Sequence, residues 1–329
     1  MTAFRPGVWW TFAVGLAVLL AGALAATATS FAQDSRPVQV IVGYAPGGGT
    51  DTLARVLTVP LGKSLEKPVI VRNVPGAGGQ IAATALLREG NDGSSILAIN
   101  YPDLYLAVGR ENAPYKAADF QVIMVDVKDP RVMLVAKNSD IGTFADFVTR
   151  AKAQPGKLAV SVAQGSAQEL FAKWLFGKLG LDVIVVGYKS GSDASNALLA
   201  GDVVATIGDD YARLNIRDRS RALFIAAKEK SPRWPEAQTL TSVLAPYGIT
   251  PPSADFLARY GIYVVPSSFK NSRPAAYAKL QQALLQARSR PEFEEYIGKN
   301  HLHDLSIGKA GEEFDAAFLA DLAEIEKIR

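Results

Sequence analysis

The feature that most constrains the fold is a run of β-forming residues that ends in consecutive glycines and leads into a helix-forming segment. Residues 38–42 (VQVIV) are mostly β-branched and apolar, as expected of a strand buried on both faces of a parallel sheet. Residues 47–49 are glycines, so the chain can turn sharply and a ligand can approach its peptide groups. Thr50 or Asp51 is predicted to cap a helix that ends near Leu65. The unpaired N–H groups of its first turn favour an anion.

The same strand–glycine–helix unit occurs a second time. Residues 68–71 (PVIV) predict a strand, residues 73–79 (NVPGAGG) a glycine-rich turn, and residues 80–88 a helix. A further strand is predicted at residues 95–99, with Asn100 directly after it. Because alternating strands and helices indicate a parallel sheet, whose ligands bind beyond the carboxyl ends of its strands, these loops are expected to share one edge.

A second α/β set is predicted further along the chain. Residues 132–136 predict a strand that crosses into it, and residues 260–265 predict the strand that returns. No regular element is predicted for residues 102–130, and residues 311–329 predict a last helix. Two crossovers, near residues 134 and 260, would then act as a hinge. The predicted limits are 33–134 and 256–329 for a discontinuous domain 1, and 135–255 for domain 2.

Residues 1–32 differ from the rest of the chain. One charge, Arg5, precedes an apolar run at residues 8–26, and small residues lead to Ser30, Phe31 and Ala32. This pattern predicts a secretory signal peptide that is cleaved near Ala32, and hence a periplasmic protein. The alternative is a retained membrane anchor, because the apolar run is close to the ~18 residues that can span a bilayer.

Composition excludes several functional classes. The formal net charge is +3 without a basic cluster, so nucleic acid is not an expected partner. The chain has no cysteine, which excludes disulfides, thiol catalysis and cysteine-ligated metal sites. Its two histidines, His301 and His303, are more typical of surface residues than of a metal site. We therefore expect neither a metal nor a cofactor.

A secreted α/β enzyme is the competing class, such as a hydrolase or lyase that uses Asp51 or Asp209. With only two histidines, clustered together, and no cysteine, the chain offers neither a nucleophile–base pair nor a set of metal ligands. Residues 76–81 (GAGGQI) also depart from the dinucleotide fingerprint, since Ile81 stands where its third glycine belongs. An enzyme is therefore the less favoured alternative.

Several motifs together resemble one protein family. Residues 46–51 (PGGGTD) and 71–79 (VRNVPGAGG) are similar to the two signature loops of the Bug family, the periplasmic substrate-binding proteins of tripartite tricarboxylate transporters. The similarity continues through residues 91–93 (NDG), 153–157 (AQPGK), 165–166 (GS), 187–189 (GYK), 198–201 (LLAG) and 222–227 (ALFIAA). Each motif is weak alone, but their order and spacing over essentially the whole exported chain make the match specific.

The resemblance implies a two-lobed α/β fold of the periplasmic-binding-protein type, a type II-like Venus flytrap with two hinge crossovers. Such a protein closes on a small carboxylate, which could be a di- or tricarboxylate, an amino acid or an aromatic acid. It delivers this ligand to the large and small membrane subunits of a tripartite tricarboxylate transporter. We expect it to be a monomer.

The resemblance also implies where the ligand binds. In the family, a ligand carboxylate is held largely by backbone groups and bridging waters at the first glycine loop. Asp51 would repel a bare carboxylate and is expected to orient loop amides or water, or to contact a hydroxyl or amine of the ligand. With Tyr101 and Tyr188 added as candidate cleft-lining aromatic residues, the expected ligand-binding residues are Tyr44, Gly48, Gly49, Thr50, Asp51, Ala77, Gly78, Gly79, Asn100, Tyr101, Ser161, Gly165, Ser166, Tyr188 and Asp209.

Departures from the family pattern leave the identity of the ligand open. Glu169 stands where relatives often have histidine, and residues 187–191 (GYKSG) stand where they often have PYKGS. Tyr101 replaces a small residue, and its ring is expected at the cleft, where it would accommodate a larger or aromatic carboxylate. The sequence also leaves open whether the closed protein serves a transporter or signals to a membrane sensor kinase.

Overall fold

The computed structural model describes residues 36–108, 114–254 and 256–327. The predicted signal peptide, residues 1–32, lies outside them. Within the described residues, no helix has both the length and the apolar character that crossing a bilayer would require.

Strands and helices alternate over most of the described chain. The strands are β1 (Val38–Val42), β2 (Val69–Asn73), β3 (Ser95–Tyr101), β4 (Phe120–Asp129), β5 (Arg131–Ala136), β6 (Ala159–Ala163), β7 (Ile184–Tyr188), β8 (Ala205–Asp209), β9 (Ser220–Ile225), β10 (Gln238–Thr239), β11 (Arg259–Pro266) and β12 (Ser306–Ala310). The α-helices are α1 (Gly49–Leu65), α2 (Gln80–Glu89), α3 (Asp103–Val108), α4 (Phe144–Ala153), α5 (Ala167–Lys178), α6 (Gly191–Ala200), α7 (Leu240–Leu244), α8 (Ser267–Ser272), α9 (Pro274–Arg288), α10 (Pro291–Lys299) and α11 (Asp315–Glu326). Short 3₁₀ helices occur at Ala77–Gly79, Ala117–Asp119, Tyr211–Arg219, Ala245–Tyr247 and Gly311–Phe314.

In the described part of the chain, the strands form two six-stranded sheets, one in each lobe. The first has the order β12-β4-β11-β3-β1-β2, and the second has the order β10-β9-β5-β8-β6-β7. Within them, β1 is parallel to both β2 and β3, and β6 is parallel to both β7 and β8. The strands that enter or leave a lobe are antiparallel to their neighbours, as β11 is to β3 and β4 and β5 is to β8 and β9. The predicted two-lobed α/β fold is confirmed.

The chain passes between the two sheets at two adjacent places. The first passage is at Pro130, between β4 in the first sheet and β5 in the second. The second passage precedes β11, whose first residue, Arg259, is paired in register with Asp129 at the end of β4. Residues 132–136, predicted to cross between the domains, thus lie wholly in the second sheet. The domain limits near residues 134 and 256 remain predictions.

Strand β4 lies in the region for which no regular element was predicted. Two acidic residues interrupt its apolar sequence, and both are buried in ion pairs. Asp126 accepts a hydrogen bond from Arg288 Nε at 2.5 Å, and Asp129 accepts one from Arg259 Nη2 at 2.6 Å. The strand was missed because the partners of its charges are remote in sequence.

The C-terminal segment also differs from its prediction. Strand β12 and a 3₁₀ turn precede α11, so the last helix begins at Asp315 rather than near residue 311. Phe318 of α11 stacks on Tyr101 with ring centroids 3.9 Å apart. Ile325 belongs to the apolar core that surrounds Phe171 in the second lobe. Helix α11 therefore packs against both lobes.

Candidate ligand-binding cleft

Helix α1 begins at the first glycine loop without a side-chain cap. Gly48 is the N-cap residue, and its backbone is extended (φ −80°, ψ 165°). The prediction that Thr50 or Asp51 caps this helix is wrong, because both residues lie within its first turn. The hydroxyl of Thr50 instead donates a hydrogen bond to Asn100 Oδ1 at 2.9 Å. The first N–H groups of α1 have no acceptor within the helix, as at any helix start.

Asp51 holds the first glycine loop in place. Its buried carboxylate accepts hydrogen bonds from the Gly47 N–H at 2.9 Å, from Asn73 Nδ2 at 2.8 Å and from Arg55 Nε at 3.0 Å. Burial raises the pKa of Asp51, but the hydrogen bonds from Arg55, Gly47 and Asn73 outweigh this effect, and the pKa lies below its ordinary value. The expectation that Asp51 orients a loop amide is confirmed at Gly47.

A small polar cavity, the inner cavity, lies between the lobes. Its volume is about 40 Å³, which can hold ordered water but is small for a ligand of many atoms. It is lined by Tyr44, Ala45, Gly48, Gly49, Thr50, Asn100, Asp103, Ala163, Ser166, Gln168, Ser190, Gly191, Ser192, Asp209, Ala212, Arg213 and Arg259. Seven of the predicted ligand-binding residues meet here: Tyr44, Gly48, Gly49, Thr50, Asn100, Ser166 and Asp209.

A larger chamber of about 880 Å³, the outer chamber, shares Ala45 with the inner cavity. The second glycine loop contributes Ala77 and Gly78 to its wall, and the second lobe contributes Gly165. Tyr188 lines an adjoining groove of about 660 Å³. Both glycine loops thus contribute to the cleft, but they line different parts of it.

The remaining predicted residues, Asp51, Gly79, Tyr101 and Ser161, line none of these three spaces. Gly79 has a φ of +95°, and a Cβ there would lie 2.6 Å from Ile99 Cδ1, so glycine is required for packing. Tyr101 is fully buried, and its hydroxyl donates to the Phe318 carbonyl at 2.9 Å and to Asp321 Oδ2 at 3.0 Å. Its ring lies in the first lobe's core and not at the cleft, so it gives no support to an aromatic ligand.

The two predicted serines of the second lobe form hydrogen bonds within their own lobe. Ser161 donates to the Ala194 carbonyl at 2.8 Å. Ser166 caps α5 by accepting from the Gln168 N–H at 3.1 Å, and it donates to the Ala163 carbonyl at 2.7 Å. The Ser161 contact joins β6 to α6, and the Ser166 contacts fix the loop between β6 and α5.

Asp209, at the end of β8, is surrounded by cationic and amide donors. It forms a buried ion pair with Arg131, lies 3.5 Å from Arg259 Nε, and accepts from Gln168 Nε2 at 3.0 Å. Its carboxylate therefore neutralises arginines of the protein. Within the described ranges, no group of three or more His, Cys, Asp or Glu residues is arranged to hold a metal ion.

A comparison with protein families shows to which family this chain belongs. The sequence model of TctC, the tripartite tricarboxylate transporter family receptor, matches residues 53–310. The chain belongs to the TctC family. The predicted resemblance to Bug proteins is confirmed by protein BugT of Bordetella pertussis, which is 32% identical over 246 residues, covering 73% of this chain and 75% of BugT.

Solved structures share the fold of this TctC-family chain. MatC from Rhodopseudomonas palustris with bound malate has a TM-score of 0.78 at 21% identity, over 90% of this chain and 99% of MatC. The periplasmic binding protein BugD has a TM-score of 0.78 at 21% identity, over 89% of this chain and 96% of BugD. R. palustris Rpa4515 with adipate has a TM-score of 0.76 at 21% identity, over 90% of this chain and 97% of Rpa4515.

Several charged or polar residues that surround the inner cavity of this TctC-family protein were missed by sequence reasoning. They are Asp103, Arg131, Gln168, Arg213 and Arg259, and each is at most 6% exposed. Arg131 and Arg259 begin the apolar strands β5 and β11. A charged residue at the start of an apolar strand is the one signal in the sequence that these two arginines are buried in ion pairs.

Asp103 connects the two lobes across the inner cavity. It accepts a hydrogen bond from the Tyr44 hydroxyl at 2.9 Å in the first lobe. It also accepts one from the Ala167 N–H at 2.8 Å, in the first turn of α5 in the second lobe. Burial raises the pKa of Asp103, although Arg131 and these donors oppose the effect. A carboxylate of the protein itself thus occupies the N-terminus of α5.

Proposed function

We propose that this protein is an extracytoplasmic solute-binding receptor that captures a small carboxylate between its lobes. It delivers this ligand to the large and small membrane subunits of a tripartite tricarboxylate transporter. The proposed location is the periplasm, after removal of a signal peptide near Ala32. The protein catalyses no reaction on its ligand.

The observation that carries this proposal is the composition of the inner cavity. Its wall combines the first turn of α1, at Gly48, Gly49 and Thr50, with polar residues of the second lobe. The N–H groups at a helix start and the positive end of the helix dipole favour an anion. Because both lobes contribute, a ligand bound here would stabilise the closed arrangement.

Membership in the TctC family supports the assignment to transport, since the family is described as the receptor of a tripartite tricarboxylate transporter. Two proteins that share the fold were solved with malate and with adipate. Both ligands are small carboxylates, so they support the ligand class proposed for this chain. Seven predicted binding residues line the inner cavity, and we propose that they form the binding site.

Ligand entry requires the lobes to separate, because the inner cavity holds only about 40 Å³. The two passages between the sheets lie side by side, where Arg259 is paired with Asp129. We propose that the lobes rotate about these passages, as in hinge closure of periplasmic binding proteins. Exclusion of water on closing strengthens each hydrogen bond to the ligand.

A thermal-shift screen of the exported chain tests this function. The panel contains mono-, di- and tricarboxylates, amino acids, aromatic acids and neutral sugars. A ligand at 100 times its dissociation constant should stabilise the folded protein by about 2.7 kcal/mol. We expect a carboxylate to raise the unfolding midpoint. A shift caused by a neutral sugar, with none from any carboxylate, would contradict the proposal.

A further inference from the structure

Arg213 differs from the other buried arginines around the inner cavity. Arg131 is paired with Asp209, and Arg259 is paired with Asp129 at 2.6 Å. Arg213 is only 2% exposed, yet no ion pair joins it to a carboxylate within the described residues. A buried guanidinium without a counter-charge is unfavourable, since burial removes its hydration.

The hydrogen bonds of Arg213 involve neutral acceptors and are long. Its Nη2 donates to the Ile207 carbonyl at 3.3 Å and to Gln168 Oε1 at 3.5 Å. Its Nε is buried without a partner, and Nη1 has no hydrogen bond to any described residue. Burial lowers the pKa of Arg213, although Asp209 and Asp129 oppose the effect. The guanidinium therefore retains donors for another acceptor.

The second lobe provides space for this guanidinium through two glycines. A Cβ on Gly208 would lie 2.3 Å from Arg213 Nε, and a Cβ on Gly191 would lie 2.7 Å from Nη1. Neither glycine has a positive φ, so backbone conformation does not require glycine at these positions. Glycine is needed at both positions because a side chain there would collide with the guanidinium of Arg213.

Two helix N-termini meet next to Arg213. Helix α6 begins at Gly191 after its N-cap, Ser190, and both residues line the inner cavity with Arg213. Helix α1 begins on the other side, where a Cβ on Gly48 would lie 3.9 Å from Ser192 Oγ. Two helix N-termini and a guanidinium that lacks a direct ion pair favour an anion at this place.

We propose that Arg213 forms a direct ion pair with a carboxylate of the ligand, and that this carboxylate lies between the N-termini of α1 and α6. This inference rests on the proposed function and adds the charged group that recognises the ligand from the second lobe. It also adds a second-lobe contact at the start of α6, since Asp103 already occupies the start of α5.

Two substitutions of Arg213 and one control test the proposal. Purified wild-type protein and the variants Arg213→Met, Arg213→Lys and Arg288→Met are titrated calorimetrically with L-malate, adipate, citrate and L-glutamate. The unfolding midpoint of each protein is also measured without ligand. Arg288 is a matched control because it is a buried arginine outside the cavity that is paired with Asp126.

We expect Arg213→Met to weaken binding of the tightest acid by about 100-fold or more, because one partner of a buried charge pair is lost. Arg213→Lys should cause an intermediate loss, since it keeps the charge without the planar fork. Without ligand, Arg213→Met should unfold at or above the wild-type midpoint. Arg288→Met should unfold at a lower midpoint, because it leaves buried Asp126 unpaired, and should keep wild-type affinity.

Wild-type affinity in Arg213→Met would overturn this inference and leave the proposed function standing. A midpoint for unliganded Arg213→Met that falls as far as that of Arg288→Met would also overturn it, because Arg213 would then be structural. If the wild-type protein binds none of the four acids and no carboxylate of the thermal-shift panel, the proposed function fails, and this inference fails with it.

Discussion

Asp51 shows how a single residue can shape a binding loop without contacting the cavity. It connects the loop at Gly47 to the end of β2 through Asn73, and to its own helix through Arg55. Because Asp51 lines none of the described cavities, its effect on a ligand would be exerted through the backbone of the glycine loop.

The Asp51→Asn substitution should lower the free energy of unfolding near neutral pH by about 1–3 kcal/mol, since buried donors lose a charged acceptor. The pKa of Asp51 in the folded protein lies below its ordinary value, so its stabilisation is present above about pH 4, the unfolded-state pKa. It is lost as the pH falls through the folded-state pKa. Urea unfolding of wild type and variant at pH 7 and at pH 3 measures this difference.

Asp140→Asn is the control for Asp51→Asn, because Asp140 also pairs with an arginine but its side chain is 79% exposed. It should change the stability little at either pH. If Asp51→Asn lowers the free energy of unfolding equally at both pH values, the charge of Asp51 is not the source of the stabilisation.

At the level of elements, local patterns in the sequence predicted the strand–glycine–helix units well. Strand β1, strand β3 and helix α2 appear close to where residue patterns placed them. Strand β4 was missed because its acidic residues are neutralised by Arg259 and Arg288, which are far along the chain. Arg213 was missed for a different reason, since nothing near it in sequence indicates that it is buried.

The start of α1 meets the second lobe where a missing side chain permits close approach. A Cβ on Gly49 would lie 2.9 Å from Ala212 Cβ and 3.1 Å from Ala212 Cα. Ala212 belongs to the 3₁₀ helix Tyr211–Arg219, which follows β8 of the second sheet. The lobes can therefore approach this closely only with glycine at position 49.

The Gly49→Ala substitution should hinder closure and weaken ligand binding about tenfold, since overpacking typically costs about 1–3 kcal/mol. X-ray scattering with saturating ligand should give a larger radius of gyration for this variant than for wild type. Gly177→Ala is the control, because a Cβ there meets nothing within 4 Å, and it should match wild type in both measurements. A variant as compact and as tightly binding as wild type would exclude a role for this contact in closure.

At the level of the whole molecule, further contacts connect the lobes. Arg233 donates to Asp210, next to β8, at 2.7 and 2.6 Å, and to Asp304, before β12, at 2.7 and 2.8 Å. The Tyr211 and Tyr296 hydroxyls also form a hydrogen bond of 2.6 Å between the lobes. Separation of the lobes would have to break the contacts of Asp304 with Arg233 and of Tyr296 with Tyr211.

The central claim is that this cleft binds a carboxylate as an anion. The most direct test is calorimetric titration of the protein with the acid that stabilises it most, and with the same molecule in which one carboxylate at a time is replaced by a carboxamide. We expect that replacing the carboxylate bound by Arg213 and the two helix N-termini weakens binding by about 100-fold. Equal affinity for the acid and every carboxamide would contradict it, because the cleft would then recognise shape and hydrogen bonding without charge.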